Sequence, residues 1–313
     1  MENIDIMKSN IQLSVIIPTR NIPLLLARCV NSIPQRDDIE IIVVDDNSYN
    51  AEEIYKSTGV LERSDVTMIF TKEGKGAGYA RNVGIEKAKG EWVVFSDSDD
   101  FFTADLLPAF DNYKDTDYEV VVFPIRVVNS ETLEEGPWRY AGFNKQIART
   151  DISYKDKLLS TSVLWTRFIR KTILDTYHIR CEEIKCSNDQ MFSTLLALNA
   201  KKVFFDCDFY IYTLTYRAGS LTKVRDKESF ECRLGAEERY NDVMRKYGEQ
   251  PRHDSLQKFM IWAADFDFAT MASTYKKLKY ERGNHAGKLK YHRYIVLLLS
   301  IKEMIVKKLL KRR

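Results

Sequence analysis

Leu13–Pro18 (LSVIIP), Leu24–Ile33 (LLLARCVNSI) and Ile39–Asp45 (IEIIVVD) decide the fold of this chain. The outer two are short runs dominated by Ile and Val, one ended by proline and the other by aspartate, as expected of strands buried on both faces. The middle run spaces its apolar residues as a helix does, so the three form a β-α-β unit that closes right-handed into a parallel sheet. The alternation continues outward, with a helix over Ala51–Thr58, a strand over Val66–Thr71, a helix over Gly78–Ala88 and a strand over Trp92–Ser96. The pattern predicts an α/β fold with a Rossmann-like layout.

After Asp100 the rhythm changes. A helix is expected near Ala104–Tyr113, a strand over Tyr118–Phe123, a pairing strand over Ile125–Asn129 and a helix over Tyr154–Leu159. A helix over Asp189–Ala200 then precedes strands over Lys202–Phe205 and Phe209–Leu214, all on the same, now mixed, sheet. From Lys227 the pattern is helical, with candidates at Glu228–Lys246, Ser255–Tyr280 and Tyr291–Lys311. The expected division is therefore 1–226, with a nucleotide-side half over 11–105 and an acceptor-side half over 106–226, followed by a helical extension over 227–313.

With 313 residues, 44% apolar and 30% charged, the chain is large enough for a sizeable core and is neither disordered nor disulfide-stapled. The net charge of +3 conceals an asymmetry. From Lys276 to Arg313 the net is +11, which leaves −8 on the first 275 residues. A basic tail on an acidic body points to a phosphate-bearing surface as the tail's partner. The five cysteines form no Cys-x-x-Cys pair, and Cys181 and Cys186 find no second pair at zinc spacing, so ordinary thiols in a reducing compartment are expected. The start of the chain has no secretory h-region. These features favour a cytoplasmic protein.

In an open parallel sheet, ligands bind beyond the carboxyl ends of the strands. Here those ends carry Asp45-Asp46-Asn47-Ser48 and Ser96-Asp97-Ser98-Asp99-Asp100. One such cluster would be ordinary turn chemistry, but two at one sheet edge suggest a site. Oxygen-only donors suit Mg²⁺ or Mn²⁺ shared with substrate phosphates. Asp46 is placed to accept hydrogen bonds from a nucleobase or ribose. Gly74–Asn82 (GKGAGYARN) is neither a dinucleotide fingerprint, because the acids precede it, nor a P-loop, because Gly-Lys-Ser/Thr is absent. What remains is a glycine loop opening a helix, with Arg81 able to pair with a diphosphate.

Taken in order, SVIIPT-x-N (Ser14–Asn21), VVDDNS (Val43–Ser48), G-x-ARN-x-G (Gly78–Gly84), GEWVVF-x-DSDD (Gly90–Asp100), NDQMF (Asn188–Phe192) and YR-x-GSLT (Tyr216–Thr222) closely resemble the family 2 glycosyltransferases, inverting enzymes of GT-A fold that use nucleotide-diphospho-sugars. The resemblance covers about two thirds of the chain. It implies that Pro18, Thr19 and Asp46 hold the base, that Asp97 approaches the ribose, and that Asp99 ligates Mn²⁺ or Mg²⁺. It implies diphosphate contacts from Arg81 and Arg217, and a general base in Asp189 that activates the acceptor hydroxyl. Trp165 and Arg167, in Leu164–Phe168, resemble the family's acceptor-side segment, although a core tryptophan is an equal alternative. Asn188 stands where the family usually has Glu, and Arg20 replaces the tyrosine of PTYN.

The function so implied is transfer of a sugar, from a UDP-sugar by family habit, to a glycan or a polyprenyl-diphosphate-linked acceptor in surface-polysaccharide synthesis. A nucleotidyltransferase of similar fold would need a basic glycine loop directly after the first strand, which Thr19–Ile22 does not supply. A non-catalytic, basic-tailed binding protein is opposed by the intact acidic residues, and nucleic acid is not an expected partner because no recognised motif is present. The tail, Tyr291–Arg313, is too short in apolar residues to span a bilayer. It fits either an interfacial helix on the inner face of an anionic membrane or a helix docked on its own body.

Overall fold

A computed structural model describes residues 11–136, 141–161, 163–216, 225–249, 255–278 and 301. The chain divides into two compact units, Met1–Leu221 and Thr222–Arg313. Unit one begins with β1 (Leu13–Thr19), α1 (Pro23–Asn31), β2 (Ile39–Asp46), α2 (Ala51–Lys56), β3 (Val66–Thr71), α3 (Ala77–Lys87) and β4 (Trp92–Phe95). It continues with β5 (Phe101–Phe102), α4 (Leu106–Tyr113), β6 (Val120–Val122), β7 (Ile125–Asn129), α5 (Ala141–Ile147), α6 (Tyr154–Ser160), β8 (Arg167–Arg170), α7 (Lys171–Thr176), α8 (Gln190–Asn199), β9 (Val203–Phe205) and β10 (Tyr212–Tyr216).

The main sheet runs β3-β2-β1-β4-β8-β6-β9. β1 pairs in parallel with β2 and β4, and β2 with β3. Every residue of β1 and β2 is buried, which is why both read as unbroken apolar runs. Burying each such Ile or Val side chain contributes roughly 1.5–3 kcal/mol. α3 lies directly on β1 because Gly84 has no side chain; a Cβ there would stand 2.4 Å from Ile16 Cγ2.

β8 enters antiparallel between β4 and β6. Its sequence, Arg-Phe-Ile-Arg, does not read as a core strand. It succeeds as one because Arg170 lays its guanidinium 4.1 Å over the Trp92 ring and reaches Glu91 at the sheet margin.

The single mixed sheet expected for the second half is corrected by the structure. β7 leaves the main sheet and pairs in parallel with β10, which also pairs antiparallel with β5, forming a separate three-stranded sheet. Only Phe123 and Pro124 separate β6 from β7. Proline removes a ladder donor and fixes its own backbone angle, and neither residue is the glycine or asparagine that a two-residue hairpin turn favours, so the chain bends out of the sheet instead of turning back.

Unit two contains α9 (Lys227–Lys246), α10 (Ser255–Ala263) and α11 (Phe268–Leu278) around a small core that includes Phe230, Met260, Trp262 and Met271. The long helix expected over Ser255–Tyr280 is broken. Asp267 accepts a hydrogen bond from the Thr270 amide at 2.6 Å and starts α11 afresh. Of Tyr291–Arg313 only Ile301 is among the described residues; it is helical and packs against this second core. Among the described residues no helix is long and apolar enough to cross a membrane.

Candidate active site

Because β1, β2 and β4 are adjacent and parallel, their carboxyl ends open on one edge, with Thr19 opposite Asp45 and Ile16 opposite Phe95. Pro18 and Thr19 are buried at the end of β1. At the end of β2 the two carboxylates divide. Asp45 is wholly buried and takes hydrogen bonds from the Ser48 amide (2.8 Å), the Tyr55 hydroxyl (2.7 Å) and the Ser48 hydroxyl, fixing the turn. Asp46 accepts from the Lys75 and Gly76 amides at 3.1 and 2.7 Å, and so holds the glycine loop against the strand end. α3 starts there and packs so closely on the 182–188 segment that a Cβ on Gly78 would stand 2.0 Å from the Glu182 carbonyl oxygen.

Arg81, one turn into α3, is almost fully buried. Its Nη2 donates to Asp97 Oδ1 at 2.5 Å and its Nη1 to Asn188 Oδ1 at 2.8 Å. One guanidinium thus ties the end of β4 to the residue that precedes Asp189. Arg81, expected at the diphosphate, is an internal strut between Asp97 and Asn188 in this structure, and Asn188 supplies a neutral acceptor where the family usually has glutamate. Asp97 keeps about a third of its side chain exposed (35%). Asp99 is half-buried.

Asp100 is buried. Tyr212 donates to its Oδ2 at 2.7 Å and the Thr215 amide to its Oδ1 at 2.7 Å, while the Asp97 amide donates to the Tyr212 oxygen at 3.0 Å. Burial, then the charges of Asp97 and Asp99, push the Asp100 carboxyl well above the usual carboxylate range. These two β10 partners, 112 and 115 residues away, leave no local pattern around Asp100. The one available signal was a third acid, more than a hard cation shared with phosphate requires.

Asp189 occupies the N-cap position of α8, yet its side chain makes no capping hydrogen bond. Its pKa is raised, first by burial and also by Asp97, against the opposing pull of Arg81 and Arg167. Trp165 and Arg167 lie inside the fold rather than on an open acceptor face. Trp165 stacks on Tyr212 with ring centroids 5.5 Å apart and planes 2° from parallel. Arg167 is fully buried with Nη2 on the Thr161 carbonyl and hydroxyl, and burial lowers its pKa to about 10. Arg217 lies outside the described residues.

The family model described as "Glycosyl transferase family 2" matches residues 14–177, more than half of the chain and the whole of the acidic edge. The chain belongs to glycosyl transferase family 2. Among relatives it is 26% identical over 224 residues to the poly(ribitol-phosphate) beta-glucosyltransferase of Bacillus spizizenii, a match covering 66% of this chain and 33% of that one. It is 28% identical over 214 residues to the poly(ribitol-phosphate) beta-N-acetylglucosaminyltransferase TarP of Staphylococcus aureus, covering 64% and 62%. The chain thus spans about a third of the length of the Bacillus relative.

Among solved structures, S. aureus TarS 1–349 in complex with UDP-GlcNAc superposes with a TM-score of 0.57 at 20% identity, covering 94% of this chain and 81% of that one. The Pyrobaculum calidifontis mannosyltransferase PcManGT, solved with GDP-Man and Mn²⁺, gives 0.52 at 14% identity, covering 96% and 88%. The family fold is GT-A, as expected.

Among the described residues no group of three or more His, Cys, Asp or Glu gathers to hold a metal. The donor set that is present, Asp97 and Asp99 on alternate residues, still fits Mn²⁺ or Mg²⁺. Such an ion takes one or two carboxylates and completes its shell with phosphate and water.

Proposed function

We propose that this chain is an inverting glycosyltransferase that moves a sugar from a nucleotide-diphospho-sugar, a UDP-sugar by the company it keeps, to a hydroxyl of a cell-surface polymer or its lipid-linked precursor. The observation that carries this is the Arg81 bridge, which sets Asp189 beside the acidic end of β4 although the two are far apart in sequence. The poly(ribitol-phosphate) relatives favour a polyol-phosphate or similar surface glycan as acceptor. A cytoplasmic location suits such a donor, and peripheral membrane attachment through 291–313 remains part of the proposal.

In this scheme Asp46, with the ends of β1 at Pro18 and Thr19, receives the base, and Asp97 the ribose. Asp99 would hold Mn²⁺ or Mg²⁺, and such an ion would supply positive charge to offset that of a departing diphosphate. Arg217 is assigned to the diphosphate, and Arg81 positions Asp97 and the Asp189 segment. Asp189 takes the proton as the acceptor hydroxyl attacks the anomeric carbon from the face opposite the nucleotide, so a single displacement inverts that centre. An ordinary aspartate is a weak base; the burial that raises Asp189 moves it toward the working pH. Trp165 and Arg167 back the acceptor side from within.

A thermal-unfolding screen of nucleotide-sugars with and without Mn²⁺ tests this. A native-state ligand raises the midpoint. Mn²⁺-dependent protection by a UDP-sugar is expected, and an absence of protection by any nucleotide-sugar would remove the proposal.

A further inference from the structure

We propose that Arg28 is a positioning residue for the metal-binding carboxylate, acting through the main chain of Asp99; this rests on the assignment of Asp99 as metal ligand. Asp99 sits in the turn that leaves β4, where a peptide plane is ordinarily free to rock. Here its carbonyl oxygen is held from two sides. Arg28 Nη2 donates to it at 2.6 Å from α1, and Thr215 Oγ1 donates at 2.8 Å from β10. Fixing that oxygen fixes the plane of the Asp99–Asp100 peptide, and with it the direction in which the Asp99 side chain leaves the backbone.

Arg28 is itself braced. Its Nη1 donates to the Ser130 carbonyl at 2.8 Å, and its guanidinium lies 5.2 Å from the Phe101 ring centroid. The next residue of α1, Cys29, directs its thiol to the Asp97 carbonyl at 3.8 Å. α1 therefore grips the acidic turn at two alternate carbonyls. A charged donor makes the stronger kind of hydrogen bond. The fork matters as much as the charge, because it reaches the Asp99 and Ser130 carbonyls together. A lysine ammonium offers no such planar fork.

The test uses the full chain with Mn²⁺ and UDP as probes. Mn²⁺ affinity in the presence of UDP is read by electron paramagnetic resonance, and UDP affinity in EDTA by calorimetry. Arg28→Met is expected to weaken Mn²⁺ binding about ten- to hundredfold, the usual effect of losing a residue that orients a metal ligand. Arg28→Lys should recover only part of this, and Thr215→Val should lose several-fold. UDP affinity in EDTA should stay at the wild-type value in all three.

Wild-type Mn²⁺ affinity in both Arg28→Met and Thr215→Val would overturn the role of Arg28, as would full recovery in Arg28→Lys. An equal fall in metal-free UDP affinity would reveal general damage and overturn it too. Should Arg28→Met fail to fold, Thr215→Val decides. A wild-type chain that binds UDP with no Mn²⁺ would instead overturn the metal assignment beneath the proposal.

Discussion

At the end of β2, Asp45 spends its carboxylate on Ser48 and Tyr55, and its neighbour Asp46 is left facing the glycine loop. At the end of β4, Asp100 spends its carboxylate on Tyr212 and Thr215, and its neighbour Asp99 is left half-buried at the edge. In both turns one acid is spent inside the turn; its neighbour follows it at β2 and precedes it at β4. The partners differ in kind. The β2 end is satisfied by amides and hydroxyls, whereas the β4 end crowds three carboxylates, with Arg81 paired to the Asp97 carboxylate and Arg28 on the Asp99 main-chain carbonyl. A neutral cradle suits hydrogen-bond recognition of a base. A crowded, negative one suits a divalent cation, which would relieve the repulsion from Asp97 and Asp99 that adds to burial in raising Asp100.

Breaking the charged end should have the largest effect. Asp99→Ala is expected to lower transfer by about 10³-fold or more, the several kcal/mol of a lost Lewis acid, and to leave the thermal midpoint within a few degrees. Full activity in that variant would erase the distinction between the two ends.

Asp189→Asn comes next, with kcat lower by about 10²–10⁴-fold and donor affinity retained. Because burial raises the pKa of Asp189, the folded state binds its proton more tightly than the unfolded one does. The charged carboxylate therefore costs stability at neutral pH and the cost fades as pH falls, so Asp189→Asn should melt no lower than wild type at pH 7. For the same reason the acid limb of kcat/KM should lie above the ordinary aspartate range. A limb within that range in wild type, or one that persists in Asp189→Asn, would assign the base elsewhere.

Asp46→Ala should weaken UDP binding by roughly ten- to hundredfold through the lost charge-assisted contacts, with a smaller effect on kcat. Equal losses in kcat would show that the neutral cradle takes part in the chemistry. Asp45→Asn should be the mildest for activity. It should cost about 1–3 kcal/mol of stability, read by denaturant unfolding, and leave kcat at saturating donor unchanged.

These contrasts were only partly legible in the sequence. β1, β2 and β4 announced themselves because strands buried on both faces leave an unbroken apolar trace, and the acids that follow them mark the open edge. β8 left no such trace, since its arginines are buried or stacked on tryptophan by tertiary contacts that no local pattern encodes. The departure of β7 to a second sheet was signalled only by Pro124. Asp45 and Asp46 look interchangeable until the strand pleat turns one inward and the other toward the loop. The links from Arg28 to Asp99 and from Arg81 to Asn188 span 71 and 107 residues. Such pairings are set by how the elements pack, and one sequence does not reveal them.

The central claim is that the charged end of β4 is where metal and diphosphate meet. It is tested most directly by the anomalous scattering of Mn²⁺ in crystals of this chain soaked with a UDP-sugar. A manganese peak is expected within about 2.0–2.3 Å of the Asp99 carboxylate, a coordination distance for a small hard cation. A bound UDP-sugar with its manganese peak away from Asp97–Asp100, or with none at all, would contradict the account.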